Sequence, residues 1–230
     1  MSERDKEKWD GLPVVIFGNS GVSKDVKTII DEINCLNYQK QFDLIGFIAA
    51  DRKDVGKKIL GSEIVSCDKD MEKIFNQYSQ IGVVIPIGTP HIKKSIYESL
   101  SQYDNIVYPN IISPTAKIMN ESSVNFGKGN IVCSGVVITE EISIGNFNLI
   151  NINCTIGHNT EIGSYCVINP LSSISGCVKI EDEVLCGAGC SIKQGIKIGK
   201  KSTIGLGAFV VKNVGEQEVM ICDPCKKMKV

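Results

Sequence analysis

Thirteen positions at intervals of six, from residue 138 to residue 210, hold eleven isoleucines, Val210 and Cys186. Nothing else in the chain restricts its fold as tightly. A period of six matches neither the helical turn nor the two-residue alternation of a strand. It suits a coil with three flat faces, one hexapeptide to a face, with each isoleucine pointing into a triangular prism. Three hexapeptides complete a coil, and successive coils stack as parallel strands about 4.8 Å apart. The residue after each marker is often Gly, Asn, Ser or Glu, as at Gly145, Asn151, Gly163 and Glu181. The residue four places on is small or β-branched, and three of these are Cys154, Cys166 and Cys190.

Such a pattern is the hexapeptide repeat of a left-handed parallel β-helix, an exception to the rule of right-handed crossovers. Ile112, Ile118 and Val124 keep the period upstream. "FGKGN" is then expected to shift the register, and the prism to begin near residue 111. After Val210 the sequence "VKNVGEQEVMICDPCKKMKV" leaves the repeat and is expected to cap the open end.

Residues 13–108 follow a different grammar. "PVVIFG", "FDLIGFIA" and "IGVVIPIG" read as short buried strands. "SKDVKTIIDEIN", "DMEKIFNQY" and "PHIKKSIYESLSQY" read as helices, with Pro90 near the start of the last. Alternating strands and helices imply a small parallel sheet. The expected division is a tail over 1–12, a Rossmann-like α/β domain over 13–108, a β-helix over 109–214 and a cap over 215–230.

Composition narrows the function by exclusion. The net charge of −1 gives no electrostatic footprint for nucleic acid or an anionic membrane. No apolar run approaches the roughly 20 residues that cross a bilayer. The opening "MSERDKEKWD" lacks the apolar core of a secretory signal and is expected to be a solvated tail anchored only by Trp9. Ten cysteines without such a signal read as free thiols in a reducing cytoplasm. Cys222 and Cys225 form a CxxC with no second pair and few histidines, so no metal site is expected.

One of only two histidines, His158, lies in "TIGHNT", two places after the marker Ile156. That places it at an outward-facing corner, with Gly176 one coil of eighteen residues further on. An imidazole there is either surface decoration or a general base. A bare glycine amide beside it is suited to stabilise an oxyanion. Together they have the elements of acyl transfer. The other histidine, His91, is expected on a helix surface.

A small α/β domain followed by a hexapeptide prism resembles the sugar acetyltransferases that act on nucleotide-linked amino sugars. These are the bacillosamine, perosamine and viosamine N-acetyltransferases and the related sialic acid O-acetyltransferases. The resemblance runs from Pro13 to about Met228. It implies acetyl-CoA as acyl donor, a nucleotide-linked amino sugar as acceptor, no metal, and a homotrimer with sites between subunits. By position, the catalytic histidine falls on His158, its orienting neighbour on Asn159, and the glycine facing the thioester carbonyl on Gly176. The acceptor-pocket asparagine falls on Asn151, and backbone contacts to the pantetheine arm fall near Ala188 and Leu206. The diphosphate would lie on Gly18, Asn19, Ser20 and Gly21, where a strand meets a helix N-terminus. Asp51, Arg52 and Gly88 follow the second and third strands, where base and ribose would bind.

Three departures stand out. The family usually carries Asp or Glu where this chain has Asn159. An amide cannot offset the imidazolium charge, so the base is expected to be weaker, which favours an amine over a hydroxyl acceptor. The first loop ends in Val22 and Ser23 where the family has His and Gly. "CDPCKK" stands where the family has G-x-P-A-K. The competing readings are a sugar O-acetyltransferase and a non-catalytic scaffold.

Overall fold

The computed structural model describes residues 10–222. Trp9, most of the tail, Cys225 and the rest of the "DPCKK" segment lie outside the described residues. The N-terminal unit is built on a six-stranded sheet. Its elements are β1 (Leu12–Phe17), α1 (Gly21–Leu36), β2 (Phe42–Ala49), β3 (Lys58–Ile59), β4 (Ser62–Cys67), α2 (Glu72–Phe75), β5 (Ile81–Val84), α3 (Pro90–Leu100) and β6 (Ile106–Val107). The strand order is β3-β4-β2-β1-β5-β6. All pairs are parallel except β3 with β4, so the sheet is mixed at one edge. The β3–β4 hairpin turns through Leu60 and Gly61, both at positive φ, the geometry of a tight two-residue hairpin. The expected helix over "DMEKIFNQY" shrinks to the single turn of α2.

From Ile111 onward the chain forms a left-handed parallel β-helix with three faces. The first face carries seven strands, from Ile111–Ile112 to Val219–Met220. The second carries six, from Lys117–Ile118 to Phe209–Val210. The third carries five, from Val124–Phe126 to Lys197–Ile198. Strand partners are eighteen residues apart over most of the prism, as in Ile156↔Ile174 and Ile162↔Ile180. The marker isoleucines are buried in one continuous core with Cys154, Cys166, Cys186 and Cys190. Burying each isoleucine side chain stabilises the coil by about 1.5–3 kcal/mol. The same burial pushes the Cys154 thiol up to about 11 and Cys166 to about 12, so these are packing groups and not nucleophiles.

The register change lies elsewhere than expected. Ile118 pairs with Ile138, twenty residues on, whereas Val124 pairs with Ile142, eighteen on. The two extra residues therefore sit between Met119 and Ser123, where the chain makes a short 3-10 turn at Glu121–Ser123. "FGKGN" is already in phase, with Phe126 opposite Ile144.

A second column of constraints runs three places after each marker. Every sixth residue from Gly129 to Gly207 has positive φ. Nine of these are not glycine, among them Glu141, Phe147, Asn153, Asn159, Tyr165 and Cys177, and none is β-branched. That is the residue class a left-handed corner tolerates least badly.

The two units share a packed boundary. Val26, Ile29 and Ile30 of α1 join a cluster with Ile111, Ile131, Leu149 and Val167 of the prism's first face. Lys93 of α3 is fully buried and donates to the Phe147 carbonyl at 2.9 Å. Its burial pushes the ammonium down to about 7. At the far end Val214 bridges Ile198, and Val219–Met220 adds a strand beside Thr203–Ile204. That partial coil covers the edge that repetition alone would leave open.

Candidate active site at a corner of the prism

Three corners join the faces, and their backbone bonding is the same. From Phe147 to Gly207, the amide three places past each marker donates to a carbonyl one coil back, as in Cys177 to His158 at 2.7 Å and Tyr165 to Asn146 at 2.8 Å. The corners differ in what meets the amide two places past the marker.

Between the third and first faces that amide is used at Lys128, Asn146, Ser164 and Lys200. Lys128 N–H donates to Asn146 Oδ1 at 2.9 Å, Asn146 N–H to Ser164 Oγ at 3.0 Å, and Ser164 N–H to Asp182 Oδ1 at 2.8 Å. A buried asparagine ladder runs behind it, with Asn148 N–H on Asn130 Oδ1 and Cys166 N–H on Asn148 Oδ1. Most of this corner's amides are therefore taken up within the prism.

Between the second and third faces, the corresponding residues are Glu140, His158, Gly176 and Gln194. Among the described residues no acceptor meets the amide of His158 or of Gly176. His158 is exposed, and Gly176 is buried beneath its ring. A Cβ built on Gly176 would come within 2.6 Å of His158 Nε2. Glycine is thus required here by the imidazole, and its N–H is left without an acceptor among the described residues.

His158 Nδ1 is 2.8 Å from Asn159 Oδ1, and Asn159 Nδ2 donates to the Glu141 carboxylate. An amide oxygen only accepts, so Nδ1 carries the proton of the neutral ring and Nε2 keeps its lone pair. Asn159 has φ 57, in the left-handed region that asparagine enters more readily than most residues. The charge that Asn159 cannot supply is held by Glu141, one coil back. Sequence reasoning missed Glu141, although the eighteen-residue coil pointed to it: it precedes Asn159 by one full coil, as His158 precedes Gly176.

The other expected contacts lie elsewhere on the protomer. Asn151, Ala188 and Leu206 occupy the corner between the first and second faces, at the opposite edge of the second face from His158. Asn151 is buried, and its Oδ1 accepts the Ile152 N–H at 2.8 Å. The amides of Ala188 and Leu206 meet no acceptor among the described residues. Leu206 is exposed, as are Leu171 and Phe209 near the same edge.

In the N-terminal unit, Gly18, Asn19, Ser20 and Gly21 bridge the end of β1 and the start of α1. Gly18 has φ +86, and a Cβ there would meet Ile87 Cδ1 at 3.3 Å. The Gly88 loop after β5 is therefore its neighbour. β1 lies between β2 and β5, so these loops open where the sheet's strand order reverses, the place where open α/β sheets take ligands. Asn19 Nδ2 donates to Asp54 at 3.3 Å. Asp51 is held by Lys53 at 2.8 Å, and that contact and its Lys53 N–H bond draw its carboxyl below the usual range. Arg52 is paired with Asp70, which raises its guanidinium further. Both are exposed, and Arg52 has its charge already taken.

A cleft of about 350 Å³ between the start of α3 and the prism's first face is lined by Thr89, Pro90, His91, Glu183, Lys201 and Thr203. It adjoins Gly88. Among the described residues, no group of three His, Cys, Asp or Glu side chains could hold a metal ion, and no helix is long and apolar enough to cross a membrane.

Comparison with known proteins agrees with this architecture. Residues 13–100 match the family described as PglD N-terminal domain. The galactoside O-acetyltransferase of Lactococcus lactis is 25% identical over 154 residues, which cover 66% of this chain and 72% of that protein. PerB from Caulobacter crescentus, solved with CoA and GDP-perosamine, superposes with a TM-score of 0.80 at 23% identity, covering 90% of this chain and 92% of that one. WeeI from Acinetobacter baumannii gives a TM-score of 0.77 at 25% identity, covering 90% and 95%. A PglD-type N-terminal domain joined to a hexapeptide prism is thus the architecture that this chain shares with acetyltransferases, and over nearly its whole length it is similar to the solved sugar acetyltransferase fold.

Proposed function

We propose that the protein transfers the acetyl group of acetyl-CoA to the amino group of a nucleotide-linked amino-deoxy sugar, a 4-amino-4,6-dideoxyhexose, with His158 as general base. The observation that carries this reading is the open corner: an exposed imidazole with Nε2 free, set against the unused amide of Gly176. The sugar amine attacks the thioester carbonyl carbon while Nε2 takes its proton. The carbonyl oxygen gains the charge, and the Gly176 N–H is suited to bind it. The C–S bond then breaks, the amide forms, and the CoA thiolate leaves with the proton that His158 held.

The nucleotide would lie on Gly18–Gly21 and Gly88, with its sugar extending along the cleft beside α3. That cleft and the Ala188–Leu206 edge both lie away from His158 on one protomer. Three prisms with their second faces inward would set the His158 corner of each beside the Asn151–Leu206 corner of the next. This supports a homotrimer with its sites between subunits, working in the cytoplasm in surface-glycan synthesis. PerB was solved with CoA and GDP-perosamine, ligands of the class proposed here.

A hydroxyl acceptor is the second reading. It is favoured by the galactoside O-acetyltransferase relative and by the Glu141 carboxylate behind Asn159, which offsets the weakness expected of the base. The deciding experiment measures CoA release from acetyl-CoA with UDP-, dTDP- and GDP-linked amino sugars and their hydroxyl counterparts. We expect turnover with one amino sugar, and a fall of about 10²–10⁴-fold in His158→Ala. Turnover with hydroxyl acceptors alone would select the second reading. No turnover from folded protein would leave a non-catalytic scaffold.

A further inference from the structure

We infer that Glu141 is a positioning residue for the His158 base, acting through Asn159 from the preceding coil. The inference rests on the acetyltransfer reading above. Three observations carry it.

The first is the direction of the chain of bonds. A carboxylate only accepts, so the Asn159 group facing Glu141 is its NH₂. That leaves Oδ1 to face His158, where it sits 2.8 Å from Nδ1. Without the carboxylate, either end of the amide could face the ring, and the NH₂ end would demand the opposite tautomer. Glu141 therefore decides which imidazole nitrogen is the base. The second is charge. Among the described residues no lysine or arginine pairs with Glu141, whereas the neighbouring Glu161 is paired with Lys179 at 2.7 Å. The Glu141 charge is thus left to act on the amide, drawing electron density onto Oδ1 as the ring becomes cationic. The third is placement. Glu141 stands at a left-handed corner, φ 55, and its own N–H donates to Ser123 Oγ at 3.1 Å. Ser123 ends the two-residue expansion of the first coil, so the irregular coil anchors the corner that carries the carboxylate.

The test is a kinetic cycle over Glu141→Gln, Asn159→Asp and the double variant, read beside ¹⁵N NMR of the His158 ring. Glu141→Gln should lower kcat about tenfold or more, with KM for both substrates little changed. Asn159→Asp alone should also be impaired, because two carboxylates then face each other with no donor between them. The double variant should recover to within a few-fold of wild type, since the introduced carboxylate then orients the ring directly and the introduced amide can donate to it. Glu141 would thus help beside the native asparagine and hinder beside an aspartate. A merely structural role gives no such reversal. The NMR arm needs no turnover: wild type should show the Nδ1–H tautomer, and Glu141→Gln a mixture. Unchanged kcat in Glu141→Gln, additive losses in the double variant, or a wild-type ring protonated on Nε2 would each overturn the inference. The expected tautomer change in a protein that transfers no acetyl group would keep the relay and sink only the activity proposed above.

Discussion

Two corners of one prism share a backbone and differ in purpose. Between the third and first faces, the amides of Lys128, Asn146 and Ser164 each end on a side chain of the next coil. Between the second and third faces no such ladder forms: among the described residues the amides of Glu140, His158, Gly176 and Gln194 meet no acceptor. The fold needs only the rungs three places past each marker. The amide one place earlier is optional, so it can be spent on stability or left to bind a reacting group. The lesson is that the corner proposed for chemistry is one where the stabilising ladder is missing.

The strongest break of the comparison is at Gly176. Gly176→Ala puts a methyl group where 2.6 Å separates Cβ from His158 Nε2, so the ring must swing away from both the amide and the substrate. A loss of about 10²–10³-fold in kcat is expected, with the melting temperature held within a few degrees. Equal losses of stability and activity would mean that the corner is structural. The smaller effect is at the corner between the third and first faces. Ser164→Ala removes the acceptor for the Asn146 N–H and should cost about 0.5–1.5 kcal/mol, seen as a drop of a few degrees in thermal unfolding. Its kcat should match wild type. A kinetic defect there would erase the distinction between the corners.

Much of this was legible because the repeat is one-dimensional. Once Ile156 and Ile174 are known to stack, so are His158 and Gly176. The same arithmetic reaches Glu141 from Asn159, yet a local reading of "HNT" sees only that the neighbour is uncharged. The left-handed column was also in view: a glycine, asparagine or other residue without β-branching recurs every six positions, but only backbone geometry explains why. The shift at Met119–Ser123 was misplaced because Ile118 and Val124 keep their spacing while their partners do not. In the N-terminal unit the strands were plain, but the β3–β4 hairpin and the pairing of Arg52 with Asp70 depend on contacts between distant segments. No periodicity reports those.

The proposed acyl-transfer site joins two unlike corners from two copies of the chain. Subunit mixing tests it most directly. His158→Ala removes the base, and Ala188→Trp fills the opposite corner; each alone should be inactive in homo-oligomers. Co-expressed in equal amounts, they should regain about a quarter of wild-type activity in a closed ring, because one site in four would draw both intact corners from different subunits. Mixed oligomers that form but stay inactive would mean that each site lies within a single protomer, and would contradict the account.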